Sequence, residues 1–246
     1  MPRVFVAGAT GYTGREVVRE LVARGVPTVA HVRPDSPRLE EWQRRFAGTG
    51  AETDATSWDE GAIAETLGRV APTHVFALLG TTRVRGRAAA REGRVESYET
   101  VDIGLTALLI RAAGRLEARP RFIYLSAVGV SAAARGAYLR ARGRVEQQLM
   151  ASGLPYTIAR PSFITGPDRD DGRPFERVGA GLIDGALVVA GLVGARRLQA
   201  RYRSTTSTAL ARALVEAALD PAAENAILES EHLGERARLP GQSPSS

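Results

Sequence analysis

The stretch that decides the fold runs from Arg3 to Arg24, RVFVAGATGYTGREVVRELVAR. Val4, Phe5, Val6 and Ala7 make an apolar run of strand length, and a glycine-bearing turn follows directly. Gly8, Gly11 and Gly14 stand at a G-x-x-G-x-x-G spacing. A side chain at Gly8 would hinder the tight exit from the strand, and one at Gly11 would keep the backbone from a pyrophosphate. Gly14 lets the following helix pack closely on the strand. The cofactor-binding set read here is Gly8, Thr10, Gly11, Tyr12, Thr13 and Gly14, with the helix directing its leading N–H groups and positive dipole end at the phosphates. Helical periodicity follows at once: Val17, Val18, Leu21 and Val22 form an apolar stripe, while Arg15, Glu16, Arg19, Glu20 and Arg24 face water. Gly25 closes the helix.

Outward from this unit, strand-like and helix-like segments alternate. The pattern predicts strands at Thr28–Val32, weakly at Ala51–Asp54, then His74–Leu79, Arg121–Leu125, Tyr156–Ala159 and a final short run at Ala226–Leu228. Helices are predicted over Leu39–Phe46, Glu60–Val70, Glu96–Arg115, Tyr138–Ala151 and Thr208–Leu219, with Ser57 and Glu60 forming an S-x-x-E cap. His74–Leu79 is continuously apolar, as befits a parallel strand buried on both faces. This alternation marks an α/β fold with a doubly wound parallel sheet. The expected organisation is one Rossmann domain over 1–235, with a small substrate or lid region at 162–205 and a disordered tail at 236–246. Val178–Ala195 has the length of a short membrane span, but Asp184 and repeated glycine make it a cleft-covering segment instead.

Composition narrows the function. There is no cysteine, which excludes thiolate catalysis and Cys-ligated metals, and three scattered histidines do not suggest a metal site. The net charge of +6 invites a nucleic-acid reading, but the chain contains no lysine, so all 33 basic residues are arginine. That points to coding bias, and the arginines are scattered among acids without interleaved aromatics. Neither a nucleic acid nor a membrane is an expected partner; a small-molecule substrate is. The chain opens directly into a strand, so a cytoplasmic protein is expected. A monomer or a homodimer is expected, with the helices Glu96–Arg115 and Tyr138–Ala151 as the pairing surfaces in the second case.

At the end of the second strand an acid would accept from a ribose 2′-OH, whereas an arginine suits a 2′-phosphate. Arg33 stands there and Ser36 can add a hydrogen bond, so NADP is favoured; Asp35 nearby keeps NAD open. Asp54 and Ala55 would lie near the adenine. Leu79, Gly80 and Thr81 sit at the carboxyl edge of a central strand, where ligands bind in open α/β sheets. The run of arginines from Arg83 to Arg94 could rim an anionic substrate or simply face water. Ser126 ends a strand, Tyr138 opens a helix, and Arg142 lies four residues on, so Tyr138 and Arg142 share a helix face. A tyrosine can protonate a carbonyl oxygen as hydride arrives from a nicotinamide, a serine can polarise the same carbonyl, and a cation steadies the phenolate left behind.

With these residues the chain resembles the short-chain dehydrogenase/reductase superfamily, in its atypical branch. The resemblance lies in GATGYTG (Gly8–Gly14), ALLGTT (Ala77–Thr82), YLSAVG (Tyr124–Gly129), YLRARGRVE (Tyr138–Glu146) and RPSFITGP (Arg160–Pro167), and runs to about Leu233. Within the branch it is most similar to Tat-interacting-protein-like oxidoreductases, and more distantly to NmrA-like proteins. The resemblance implies a Rossmann domain with NADP(H), a Ser126/Tyr138 pair and the Pro161 backbone near the nicotinamide. The family motif is Y-x-x-x-K, and here it reads Tyr138-x-x-x-Arg142. Arginine keeps the charge and can bond the nicotinamide ribose, but it does not release a proton in the working pH range. The expected activity is NADP(H)-dependent hydride transfer to a carbonyl or quinone-like molecule. The alternative, which Arg142 favours, is an NAD(P)-binding sensor without turnover.

Overall fold

In the computed structural model, residues 1–80, 103–131, 134, 136–162, 164–165 and 205–237 are described. Seven short strands, all but the polar edge strand β3 carrying buried apolar residues, build one parallel sheet: β1 (Val4–Ala7), β2 (Thr28–His31), β3 (Glu52–Asp54), β4 (His74–Ala77), β5 (Arg121–Leu125), β6 (Tyr156–Arg160) and β9 (Ala226–Glu229). Their order is β3-β2-β1-β4-β5-β6-β9, so the order reverses between β1 and β4, the place where dinucleotides bind in doubly wound folds. Val4 pairs with Thr28 on one side and His74 on the other, which brings the carboxyl ends of β1 and β4 side by side.

Strand period 2 sorts the core into two layers. Val4, Val6, Phe76 and Ile123 face one way, against Val17, Val18 and Leu21 of α1 (Tyr12–Ala23) and Leu210 and Leu214 of α6 (Ser207–Leu219). Phe5, Val75, Phe122 and Tyr124 face the other. They meet Ile63 and Leu67 of α3 (Glu60–Val70), Leu109 of α4 (Thr106–Gly114), and Val145 and Leu149 of α5 (Ala137–Ala151). Both layers bury whole aromatic rings, each contributing roughly 2 kcal/mol of transfer free energy. On the first layer, α2 (Leu39–Thr49) adds Trp42 and Phe46.

Several local expectations shift. Asp59, not Ser57, caps α3, accepting from Ala62 N at 3.0 Å. β2 and β4 stop at His31 and Ala77, short of the predicted Val32 and Leu79, although Val32 N still donates to Asp54 O and Leu78 N to Ala7 O. The helix predicted from Glu96 is described only from Ile103, where a wider π-type turn leads into α4. The weak last strand is real and forms the sheet's far edge beside β6. A helix that periodicity did not reveal, α7 (Ser230–Arg236), follows it. Two residues at each end of the expected lid region pair in parallel, β7 (Ile164–Thr165) with β8 (Thr205–Thr206). The arginines from Arg83 to Arg94, the segment Val178–Ala195 and residues 238–246 of the expected tail lie outside the described residues. No helix among the described residues is long and apolar enough to cross a membrane.

Candidate active site at the carboxyl edge of the sheet

The turn after β1 is built as its glycines require. Gly8 has φ +81°, and a Cβ there would lie 2.5 Å from Leu78 O, so the chain just past β4, as well as the turn itself, excludes a side chain. A Cβ at Gly14 would sit 2.1 Å from Gly8 O, the close helix-to-strand approach expected of that position. Gly11 donates to Gly8 O at 3.0 Å and caps α1 in an extended conformation. It offers no side chain to the leading N–H groups, and the first turn carries no acid. What remains is an uncapped positive helix end facing a cradle of bare backbone, fit for a pyrophosphate. Thr13 is buried behind it, Thr10 half-buried, and the Arg15 guanidinium lies 5.3 Å above the Tyr12 ring.

After β2, where the sequence places the adenosine, Arg33 and Asp35 face each other at 3.6 Å. Ser36 Oγ accepts from Arg38 N at 3.3 Å. Asp54 accepts from Thr56 N and Thr56 Oγ1 at 3.1 and 2.9 Å, so its carboxylate organises its own loop; Ala55 lies half-buried between them. His31 is buried beneath, 2.8 Å from Thr56 O, and burial pushes its pKa below the usual histidine range against that bond.

At the carboxyl end of β5, where the sequence places the nicotinamide, α5 presents Tyr138, Arg142 and Glu146 at successive i+4 positions on one face. The Arg142 guanidinium is buried, 5.1 Å from the Tyr138 ring centre and 5.7 Å from that of Tyr124. It donates through Nη1 to Leu125 O, the last carbonyl of β5, and through Nη2 to Leu79 O at 3.3 Å. The structure therefore brings Tyr138 and Arg142 together and ties the arginine to two strand ends. Gly80 follows Leu79 at half-exposure, Pro161 is buried and accepts from Val128 N at 2.9 Å, and Thr81 lies outside the described residues.

Ser126 joins a different set. Its Oγ donates to Glu146 at 2.5 Å, and among the described residues no hydrogen bond links it to Tyr138. Glu146 also accepts from Arg160 Nε at 3.0 Å and Nη2 at 2.6 Å, and Arg160 reaches Glu229 at 2.9 Å. Its bonds to Glu146 first, and to Glu229 next, raise the Arg160 pKa above the usual arginine range. Glu146 and Arg160 were not singled out as site residues from sequence. The available signal is an acid four residues beyond Arg142, on the helix face that also carries Val145 and Leu149.

A family model described as NAD(P)H-binding matches residues 8–186, which spans the glycine turn and the strand ends just described. The chain belongs to this NAD(P)H-binding family. Protein fmp52, mitochondrial, of Aspergillus fumigatus is 31% identical over 182 residues, covering 72% of this chain and 72% of that protein. A candidate NAD-dependent epimerase/dehydratase of Bacillus halodurans superposes with TM-score 0.67 at 18% identity, over 96% of this chain and all of that one. Leucoanthocyanidin reductase of Vitis vinifera, in binary complex with NADPH, gives TM-score 0.62 at 18% identity, over 92% of this chain and 67% of that one. These two show the shared Rossmann-like fold. The fmp52 relatives overturn the cytoplasmic expectation, since they are named mitochondrial. That expectation rested on the first residues entering a strand, and a strand at that point carries no information about compartment.

Proposed function

We propose that this member of the NAD(P)H-binding family is an NADP(H)-dependent oxidoreductase of the atypical short-chain dehydrogenase/reductase type, most similar to the Tat-interacting-protein-like oxidoreductases, acting on a carbonyl or quinone-like molecule. The observation that carries the reading is the Tyr138–Arg142 stack at the sheet's carboxyl edge, beside an uncapped glycine turn. Gly8, Gly11 and Gly14, with the leading N–H groups of α1, would hold the pyrophosphate. Arg33 and Ser36 would receive a 2′-phosphate, which favours NADP. Bound NADPH supplies the hydride. Tyr138 gives its phenolic proton to the substrate oxygen, and Arg142 steadies the phenolate through its charge alone, because arginine keeps its protons. With Nη1 and Nη2 on Leu125 O and Leu79 O, Arg142 also fixes the strand ends that floor the nicotinamide pocket.

The same tethering favours a second reading, a dinucleotide-binding sensor without turnover, because it accounts for Arg142 as a structural clamp. NADPH consumption over a panel of aldehydes, ketones and quinones separates the two. For the oxidoreductase, Tyr138→Phe keeps NADPH binding and loses turnover by about a hundredfold or more. Unchanged turnover in that variant removes Tyr138 from the chemistry. NADPH binding with no turnover of any panel member in either protein favours the sensor.

A further inference from the structure

The Ser126–Glu146 pair has a polarity that bears on which ligands the site accepts. Both residues are buried, at 3% and 2% exposure, so water does not compete for their bond. Arg160, which can only donate, forks onto both Glu146 oxygens and holds the side chain as a carboxylate that can only accept. Glu229 on the far side of Arg160 keeps that fork in place. The Ser126–Glu146 bond can therefore run one way, from the serine hydroxyl to the carboxylate. A hydroxyl carries a single proton. With it committed to Glu146, Ser126 turns lone pairs toward any ligand at the strand edge.

We propose that Glu146 is a positioning residue that fixes Ser126 as a hydrogen-bond acceptor. The site would then hold against Ser126 a group bringing its own proton, an alcohol or hydroquinone O–H, whereas a bare carbonyl oxygen meets only lone-pair repulsion there. The inference rests on the oxidoreductase reading for its direction: it makes the hydroxyl side of the redox couple the more tightly held, and leaves Tyr138 as the donor to a carbonyl. Ser126 thus acts differently from the carbonyl polariser that its position suggests.

Two measurements on the full chain test this. In serine-labelled protein without ligand, the Ser126 hydroxyl proton should be a slowly exchanging NMR signal, assigned by its absence from Ser126→Ala. It should disappear or shift in Glu146→Gln, where Arg160 retains the amide oxygen and turns the NH2 toward Ser126. Separately, 1-phenylethanol is titrated into NADPH-loaded protein and acetophenone into NADP⁺-loaded protein, combinations that cannot turn over. The alcohol-to-ketone affinity ratio should be about tenfold higher in wild type than in Ser126→Ala or Glu146→Gln, the worth of one buried hydrogen bond. A rapidly exchanging Ser126 hydroxyl, a ratio unchanged by both substitutions, or binding of neither probe would overturn the inference. A protected hydroxyl and a falling ratio, in a protein that reduces nothing in the panel, would sustain it while the oxidoreductase reading fails.

Discussion

Strand β5 has a buried arginine at each end, and the two do different work. Arg121 opens the strand at 7% exposure and spends its donors inside a closed frame: Nε and Nη2 on Thr157 Oγ1 at 3.0 and 2.8 Å, Nη1 on Ala218 O and Asp220 O at 3.2 and 2.8 Å. Those carbonyls close α6, so a cation completes the negative end of that helix. Arg142 sits on the strand's last carbonyl, equally buried, but its guanidinium lies 5.7 and 5.1 Å from two tyrosine ring centres, and one of those rings, Tyr138, belongs to the proposed chemistry. The same side chain at the same depth is scaffold at the amino edge and part of the proposed chemistry at the carboxyl edge. Surroundings decide, and parallel strands place every ligand-facing loop at one end only.

The hardest way to break this comparison is Arg121→Met. It removes all four bonds of that frame, although Thr157 Oγ1 keeps its bond to Ala223 O and Asp220 O its bond from Ala223 N, and we expect a loss of about 3 kcal/mol in urea unfolding. Binding of NADPH by the folded fraction should be unchanged. A comparable loss of cofactor affinity would make the amino edge functional and dissolve the contrast.

Gly11→Ala probes the opposite edge. The added Cβ would meet Gly8 O at 3.2 Å, a contact a small backbone adjustment relieves, so stability should hardly change. The methyl would still stand where a pyrophosphate approaches the backbone, and NADPH affinity by fluorescence titration should fall about tenfold. Unaltered affinity would move the phosphates away from this turn.

Arg142→Lys restores the residue that the family motif has. An ammonium keeps the charge under Tyr138 but cannot fork onto Leu79 O and Leu125 O together. We expect about 1 kcal/mol less stability with turnover retained. Full stability in this variant would deny Arg142 its clamp, and lost turnover would show that the fork, more than the charge, serves the chemistry.

Within the carboxyl edge, sequence reached unevenly. The glycine turn, β1 and the α1 stripe are local: spacing and periodicity specify them, and the close approaches at Gly8 and Gly14 match what the spacing implied. Tyr138 and Arg142 sharing a face follows from helix geometry alone. The partners of Ser126 did not, because Glu146 comes from α5, Arg160 from β6 and Glu229 from β9, and no local pattern links them. Asp59 displaced Ser57 as the α3 cap although both are capping types, since only the tertiary path of the loop decides between neighbours two apart. Seven-residue α7 and two-residue β7 and β8 are too short for periodicity to register.

The smallest expected effect is a titration at the amino edge. His74 opens β4 in register with Arg121. Burial first, and the Arg121 charge second, push its pKa below the usual histidine range, while a main-chain bond to Ala218 opposes them. In the unfolded chain the imidazole titrates near its ordinary value of about 6.5. The folded state therefore binds the proton less well, and the stability associated with neutral His74 is complete above about pH 6.5 and lost as pH falls through the folded value. His31 acts in the same direction, so the two are separated by His74→Gln, which should flatten the acid-side loss by less than about 1 kcal/mol. In Arg121→Met, the His74 ring signal should titrate at higher pH than in wild type, because one of the two forces holding it neutral is gone. A His74 titration unmoved by that change would leave burial alone as the cause, and Arg121 would then act on the amino edge through its hydrogen bonds only.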